Sequence, residues 1–310
     1  MDVSGRAAIV GSGLIGRAWA VVFARRGWDV ALYDAGSGIA EQARTLVAEA
    51  LDELAAHGLV EDAGAAAARV RAAGSLADAL GGATFVQENT PERLEVKRAI
   101  FAELDRLAAP EAILASSTST IVASAFTAEL KGRHRCLVAH PVNPPHLVPL
   151  VELVAAPWTA PVVVERAKAI YQAVGQAPIV VKREIEGFIL NRLQAVLLSE
   201  AFRLVEQGYV TPQDLDQTLK HGLGRRWSFM GPFETIELNA PGGIPDYCAR
   251  YGASLARLSA ADPATYDGDS LGRILAQWTP LMPAQVATRM GWRDRRLAAL
   301  EAHMRSQPAP

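Results

Sequence analysis

Residues 6–16, RAAIVGSGLIG, decide how this chain is to be read. RAAIV is short, apolar after its first residue and followed at once by glycine, the pattern of a buried strand that ends in a turn. From Leu14 to about Arg26 the residues suit a helix. Gly11, Gly13 and Gly16 therefore form GxGxxG directly between a strand and a helix, the one context in which that spacing is informative. Gly11 permits the tight turn, Gly13 lets the backbone approach a pyrophosphate, and Gly16 lets the helix pack close to the sheet. Leu14 and Ile15 complete the turn, and the exposed amides at the helix start hold phosphate charge. Asp34 ends the next strand, DVALYD, 18 residues past Gly16. A carboxylate there accepts hydrogen bonds from adenosine ribose hydroxyls and repels a 2'-phosphate, so the reading favours NAD over NADP.

Further along, ATFVQE, AILASS, RCLVAH, LVELVA and APIVVK read as strands. Between them lie helical stretches: residues 38–56 with further turns to about Leu80, then PERLEVKRAIFAELDRLA, TIVASAFTAEL and TAPVVVERAKAIYQAVG. Strands alternating with helices predict an α/β unit around a largely parallel, Rossmann-type sheet. From Phe188 to about Ser306 the pattern holds no convincing strand. FILNRLQAVLLSEAFRLVEQG repeats apolar residues at helical spacing, Thr211 and Pro212 open the next helix, and DRRLAALEAHMRS is the last. The expected division is a nucleotide-binding domain over residues 1–187 and an all-helical domain over residues 188–310.

The chain has 310 residues, 50% hydrophobic and 21% charged, with a net charge of -2. That balance attracts neither a nucleic acid backbone nor an anionic membrane. The two cysteines, Cys136 and Cys248, form no CxxC pair. Together with an N-terminus that lacks the pattern of a secretory signal, they fit a reducing cytoplasm. No run of 18 apolar residues is present, which excludes a simple membrane span.

Residues 140–153, HPVNPPHLVPLVEL, carry the chemistry. His140 follows a strand that ends at the edge where the glycine turn lies. Glu152, twelve residues on, sits in an apolar run, where an unpaired charge is expensive and an imidazole would serve as partner. Such a carboxylate fixes the imidazole tautomer, and the pair acts as general base on an alcohol while a nicotinamide takes the hydride. Ligation of a metal by His140, His146 and Glu152 is the weaker alternative: no thiolate cluster supports it, and the oxidation needs no metal once a base is present. His146 also reads as a plain loop residue beside the pocket.

Taken in order, SSTS, HPVNPPHLVPLVEL, EGFILNRL and GLGRRWSFMGPFETIELNAPGG make the chain resemble the 3-hydroxyacyl-CoA dehydrogenase superfamily over essentially its whole length. The last motif matches best the lambda-crystallin, or L-gulonate 3-dehydrogenase, branch. The resemblance places the family's catalytic His and Glu on His140 and Glu152, its active-site serine on Ser119 and its asparagine on Asn191. Read alone, Ser119 is a helix cap and Asn191 an ordinary polar helix residue. The resemblance further implies Asn143 beside the nicotinamide and Glu88 near the nicotinamide-side ribose. It adds Lys97, which reads equally as a solvated helix lysine. It implies a homodimer assembled through the helical domain.

The substrate is the open question. No lysine occurs between Asp34 and Lys97, where acyl-CoA enzymes of the family often place lysines for a phosphate-rich thioester. Arg225 and Arg226 in GLGRRWSF offer a bidentate grip on a sugar-acid carboxylate. Surface arginines that cap a helix or join a dimer are the plainer reading. Arg226 matches the lambda-crystallin branch more closely. L-Gulonate, oxidised at its 3-hydroxyl, is thus the first expectation. A carnitine-like or hydroxybutyrate acid and a 3-hydroxyacyl-CoA are the enzymatic alternatives, and an NAD-binding structural protein is the non-enzymatic one.

Overall fold

The computed structural model describes residues 5–228, 230–241, 243–258 and 283–307. The chain divides into two compact units, residues 1–191 with 287–310, and residues 192–286.

The first unit is built on an eight-stranded sheet in the order β3-β2-β1-β4-β5-β6-β7-β8. Its strands are β1 (Arg6–Val10), β2 (Asp29–Tyr33), β3 (Val70–Ala72), β4 (Phe85–Glu88), β5 (Ile113–Ser116), β6 (Cys136–Pro141), β7 (Leu150–Ala155) and β8 (Ala177–Val181). The first six run parallel, and the order reverses direction at β1, which pairs with both β2 and β4. A crevice at the carboxyl ends of the strands beside such a switch point is where doubly wound sheets bind ligands. β7 turns back antiparallel to β6, and β8 runs parallel to β7.

Helices α1 (Leu14–Ala24), α2 (Ile39–Ala56), α3 (Ala63–Ala68), α4 (Leu76–Leu80), α5 (Leu94–Leu107), α6 (Ser124–Thr127) and α7 (Pro161–Ala173) connect the strands. They cover both faces of the sheet, so the central strands are apolar on each side rather than alternating. In β1, Ala7 and Ile9 face a core that contains Trp19, Phe23, Val47, Phe85 and Tyr171. Ala8 and Val10 face a second core, with Val86, Phe101, Leu114 and Val138.

Two places differ from the sequence reading. β3 interrupts the helical region expected up to Leu80; it has three residues, only one of them buried, and so shows no strand period. The last helix, α13 (Pro283–Ser306), belongs from Ala287 onward to the first unit rather than to the helical one. Ala298 is buried in the first core, and Leu297 and Ala302 pack partly against it. Small apolar residues at helical spacing make that narrow docking stripe.

The second unit holds most of α8 (Leu190–Glu206), with α9 (Pro212–Thr218), a π turn (Leu219–Leu223), α10 (Gly224–Trp227), α11 (Pro232–Leu238) and α12 (Gly243–Leu258). Thr211 caps α9 by accepting the Asp214 N–H at 3.1 Å. Among its described residues no strand occurs. The fold is thus a Rossmann-type sheet followed by a largely helical part, as the sequence predicts.

Candidate active site

The glycine turn is built by close approach. Gly11 has φ +90°, and a Cβ on it would lie 2.7 Å from the Asn89 carbonyl. A Cβ on Gly16 would lie 1.9 Å from the Gly11 carbonyl oxygen, so any larger residue parts helix from turn. Gly13 is different: a Cβ there meets nothing within 4 Å. Its bare backbone opens onto free space at the start of α1, which suits a pyrophosphate.

Asp34 ties the turn to β2. Its Oδ2 accepts the Ser12 N–H at 2.8 Å and its Oδ1 the Gly36 N–H at 2.9 Å, which leaves lone pairs on both oxygens for ribose hydroxyls. Gly11, Gly13 and Asp34 line one cleft of about 930 Å³, which continues between Leu76, Val96 and Ile100. Those apolar walls fit an adenine ring, so the residues present fit a dinucleotide. Leu14 lies elsewhere. It lines a second cavity of about 220 Å³ with Arg17, Asn143, His146 and Asp294. Ile15 packs partly against the core. Their side chains leave the first cleft to the glycines.

His140 and Glu152 are direct cross-strand partners in the antiparallel β6/β7 ladder. His140 Nδ1 and Glu152 Oε2 are 2.8 Å apart, with the imidazole 5% exposed and the carboxylate fully buried. Glu152 Oε1 accepts the N–H groups of Ile189 at 2.8 Å and Leu190 at 3.0 Å. Burial works to raise the Glu152 pKa, but the bonds from His140, Leu190 and Ile189 outweigh it and hold the carboxyl below its ordinary value. An ionised carboxylate on Nδ1 favours the tautomer with its proton there and leaves Nε2 as the acceptor. The Phe188 ring lies 5.4 Å from the imidazole, centroid to centroid.

Ser119 follows β5, the neighbour of β6, and its side chain is exposed. Asn191 Nδ2 donates to the Ser119 carbonyl at 2.8 Å, so these two expected residues are brought together. The loop they share is organised by a residue that the sequence reading missed. Glu92 Oε1 accepts from Thr118 Oγ1 at 2.6 Å, Ser119 N at 3.0 Å, Thr120 N at 2.9 Å and Thr120 Oγ1 at 3.0 Å. Burial opposes the Glu92 charge, and the Thr118 and Thr120 bonds overcome it to lower its pKa. An acidic residue just ahead of a helix reads as a dipole effect, and only the tertiary fold shows its real partners.

Lys97 is not a solvated helix lysine but forms a buried pair with Glu88. Neither side chain faces solvent: Glu88 is fully buried and Lys97 is 1% exposed. Lys97 Nζ donates to Glu88 Oε1 at 2.8 Å, Glu88 Oε2 at 3.0 Å and the Thr90 carbonyl at 2.9 Å. Glu88 accepts further from Ser116 Oγ at 2.6 Å and from Thr90 N and Oγ1 at 2.5 Å each. The physical reason is position: Glu88 ends β4 between β1 and β5, where a carboxylate is enclosed and must find its partners inside.

Asn143 is exposed in the loop after β6. Arg25, at the end of α1, donates from Nη1 to the His146 carbonyl at 2.9 Å and so tethers that loop. Burial, then the charges of Arg305 and Arg26, bring its guanidinium down to about 10, against the pull of Glu301. The structure thus sets α13 electrostatically beside the tether. Arg225 and Arg226 lie exposed on α10 in the helical unit. Among the described residues no three His, Cys, Asp or Glu side chains gather as metal ligands, and no described helix is long and apolar enough to cross a membrane.

A glycine turn at a switch point, with an acidic residue at the end of β2 and an imidazole–carboxylate pair beside the same crevice, defines a class: oxidoreductases that act on a hydroxyl group with a nicotinamide dinucleotide. Within that class the chain belongs to the 3-hydroxyacyl-CoA dehydrogenase family. The family's NAD binding domain matches residues 6–185 and its C-terminal domain residues 187–275. The chain is 42% identical to the lambda-crystallin homolog of Rattus norvegicus over 299 residues, covering 94% of this chain and 93% of that protein. It is 39% identical to the L-carnitine dehydrogenase of Pseudomonas aeruginosa over 249 residues, covering 80% and 77% respectively. Among solved structures, 5-formyl-3-hydroxy-2-methylpyridine 4-carboxylic acid 5-dehydrogenase, described as an NAD+ dependent dismutase, superposes with a TM-score of 0.86 at 29% identity, over 99% of this chain and 100% of that one. The protein is an NAD-dependent enzyme that oxidises a hydroxyl-bearing small molecule, and NAD is its cofactor.

Proposed function

We propose that the enzyme oxidises the 3-hydroxyl of a small hydroxy acid, L-gulonate first, with His140 as general base and Glu152 as its orienting partner. The observation that carries this reading is the His140–Glu152 contact of 2.8 Å, in which Nδ1 is engaged and Nε2 has no hydrogen-bond partner among the described residues. His140 Nε2 takes the hydroxyl proton, and Glu152 stabilises the imidazolium that forms. NAD, when bound, accepts the hydride from the carbinol carbon. Asn191, held by its bond to the Ser119 carbonyl, keeps its side-chain oxygen open, and the Ser119 hydroxyl is exposed. Both are proposed to hold the substrate oxygen, and Asn143 to flank the nicotinamide.

Gly11, Gly13, Gly16 and the Leu14 and Ile15 amides are proposed to hold the pyrophosphate, with Asp34 on the adenosine ribose. One of Arg225 and Arg226 is assigned to the substrate carboxylate, with Arg226 preferred. The missing lysines between Asp34 and Lys97 favour a small acid over a thioester. Likeness to an L-carnitine dehydrogenase makes a carnitine-like 3-hydroxy acid the second reading. We also propose a cytoplasmic homodimer. Exposed Leu193, Val196 and Leu198 on α8 and Phe233 and Leu238 on α11 support an interface on the helical unit, and light scattering tests it.

Steady-state turnover with NAD and, in parallel, L-gulonate, L-carnitine, 3-hydroxybutyrate and 3-hydroxybutyryl-CoA tests the substrate. The highest kcat/KM is expected for L-gulonate; preference for the thioester overturns the assignment.

A further inference from the structure

The carboxylate of Glu152 has two ends, and the base occupies only one. Oε2 meets His140, while Oε1 takes two peptide N–H groups, those of Ile189 and Leu190. The peptide that supplies them has an unusual backbone. Gly187 has φ +72° and Phe188 has φ +51°, so two successive residues are left-handed. Glycine adopts that conformation freely, whereas a bulky residue there is an outlier held by its surroundings. Phe188 is fully buried against the second core and against the His140 ring. Left-handed turns of this kind direct neighbouring N–H groups into a concavity that binds an anion. Leu190 is also the first residue of α8, a helix of 17 residues, so the positive end of that helix lies on the same oxygen.

We infer that Gly187–Leu190 tunes the general base: its two N–H groups set how tightly the His140–Glu152 pair holds a proton, and Phe188 is the positioning residue that keeps the turn in place. This rests on the reading of His140 as the base. The sign follows from charge. With a neutral imidazole the pair carries one negative charge; with an imidazolium it carries none. N–H dipoles aimed at Glu152 favour the more negative state. They therefore ease proton loss from the pair. The groups that act on Glu152 agree with this account. From β6 the one charged side chain is His140, from the start of α8 come only the Leu190 and Ile189 peptides, and burial opposes them.

The test deletes one N–H and little else. Proline is favoured at the first position of a helix, where its fixed φ suits the turn and its missing N–H has no helical partner. Leu190→Pro removes the bond to Oε1, and Leu190→Ala controls for the lost side chain. The measurement is the pH dependence of kcat/KM with L-gulonate, or with the member of the substrate panel that turns over fastest. The acid limb of Leu190→Pro is expected to move up by roughly half a pH unit or more relative to Leu190→Ala. Acid limbs that coincide overturn the inference. If Leu190→Pro fails to bind NAD, the wild-type enzyme still decides: labelled with ¹⁵N-leucine, its Leu190 amide should titrate with the midpoint of the acid limb, and an amide that stays flat overturns the inference. His140→Gln separates the two claims. If that variant keeps turnover, the general-base reading fails; if it is inactive while the limbs coincide, the tuning fails alone.

Discussion

Two buried acid–base pairs are anchored on the same sheet and do opposite things. Glu88 and Lys97 form a closed set: the lysine uses all three of its donors on Glu88 and Thr90, and the carboxylate takes further bonds from Thr90 and Ser116. His140 and Glu152 form an open one. The carboxylate is satisfied by His140, Ile189 and Leu190, but the imidazole uses only Nδ1. A buried charge pair with every valence filled fastens β4 to α5. The same kind of pair with one nitrogen to spare has somewhere for a proton to go. The difference between scaffold and chemistry here is one unfilled hydrogen-bond position.

That contrast can be broken from either side. The largest effect is expected at the open pair: His140→Ala should lower kcat by about 10³-fold or more while the Kd for NAD, read by fluorescence titration, stays within about twofold. Loss of NAD binding instead would mean that the imidazole holds structure, as Lys97 does. At the closed pair, Lys97→Met strands a buried carboxylate. It should destabilise the protein by about 3–5 kcal/mol in urea unfolding, with kcat per folded molecule unchanged. A specific loss of kcat without a loss of stability would return Lys97 to the active site.

Glu152→Gln keeps the shape but weakens the hold on Nδ1, and kcat should fall by about 10²-fold. It should also flatten the acid dependence of stability. The Glu152 carboxyl is held below its ordinary value of 4.5 in the folded protein, so its contribution is complete above that value and is lost as pH falls through the lower folded one. Urea midpoints below about pH 4.5 should thus drop more steeply for the wild type than for Glu152→Gln. The smallest effect is expected at Asp34. Asp34→Ser should weaken NAD by about tenfold and narrow the preference over NADP, since one charged hydrogen-bond partner is lost and the repulsion of a 2'-phosphate is removed.

What could be read from the sequence follows the same division. Gly11 and Gly16 were legible because close approach leaves no room for a Cβ there, and Gly13 because the GxGxxG spacing between a strand and a helix calls for bare backbone at the turn. His140 and Glu152 were legible because an isolated carboxylate in an apolar run demands a partner. Ser119 and Asn191 came only with the family resemblance, since a serine after a strand and an asparagine in a helix have ordinary uses. Glu92 stayed hidden because its partners are a turn 26–28 residues away, joined to it by tertiary folding alone. Lys97 read as a solvated helix lysine for a similar reason: nothing local records that its partner Glu88, at the end of β4, is enclosed between β1 and β5. The return of α13 was equally invisible, because its docking stripe is made of alanines and one leucine.

The antiparallel turn-back of β7 has a consequence for how such an enzyme can change. Proton acceptor and carboxylate are locked by strand register, His140 opposite Glu152, while the residues between the strands, 142–149, lie outside the ladder. That segment can lengthen, shorten or exchange side chains without altering the distance on which proton removal depends. The geometry of the imidazole–carboxylate pair and the make-up of the loop beside it are thereby placed on separately editable parts of the chain.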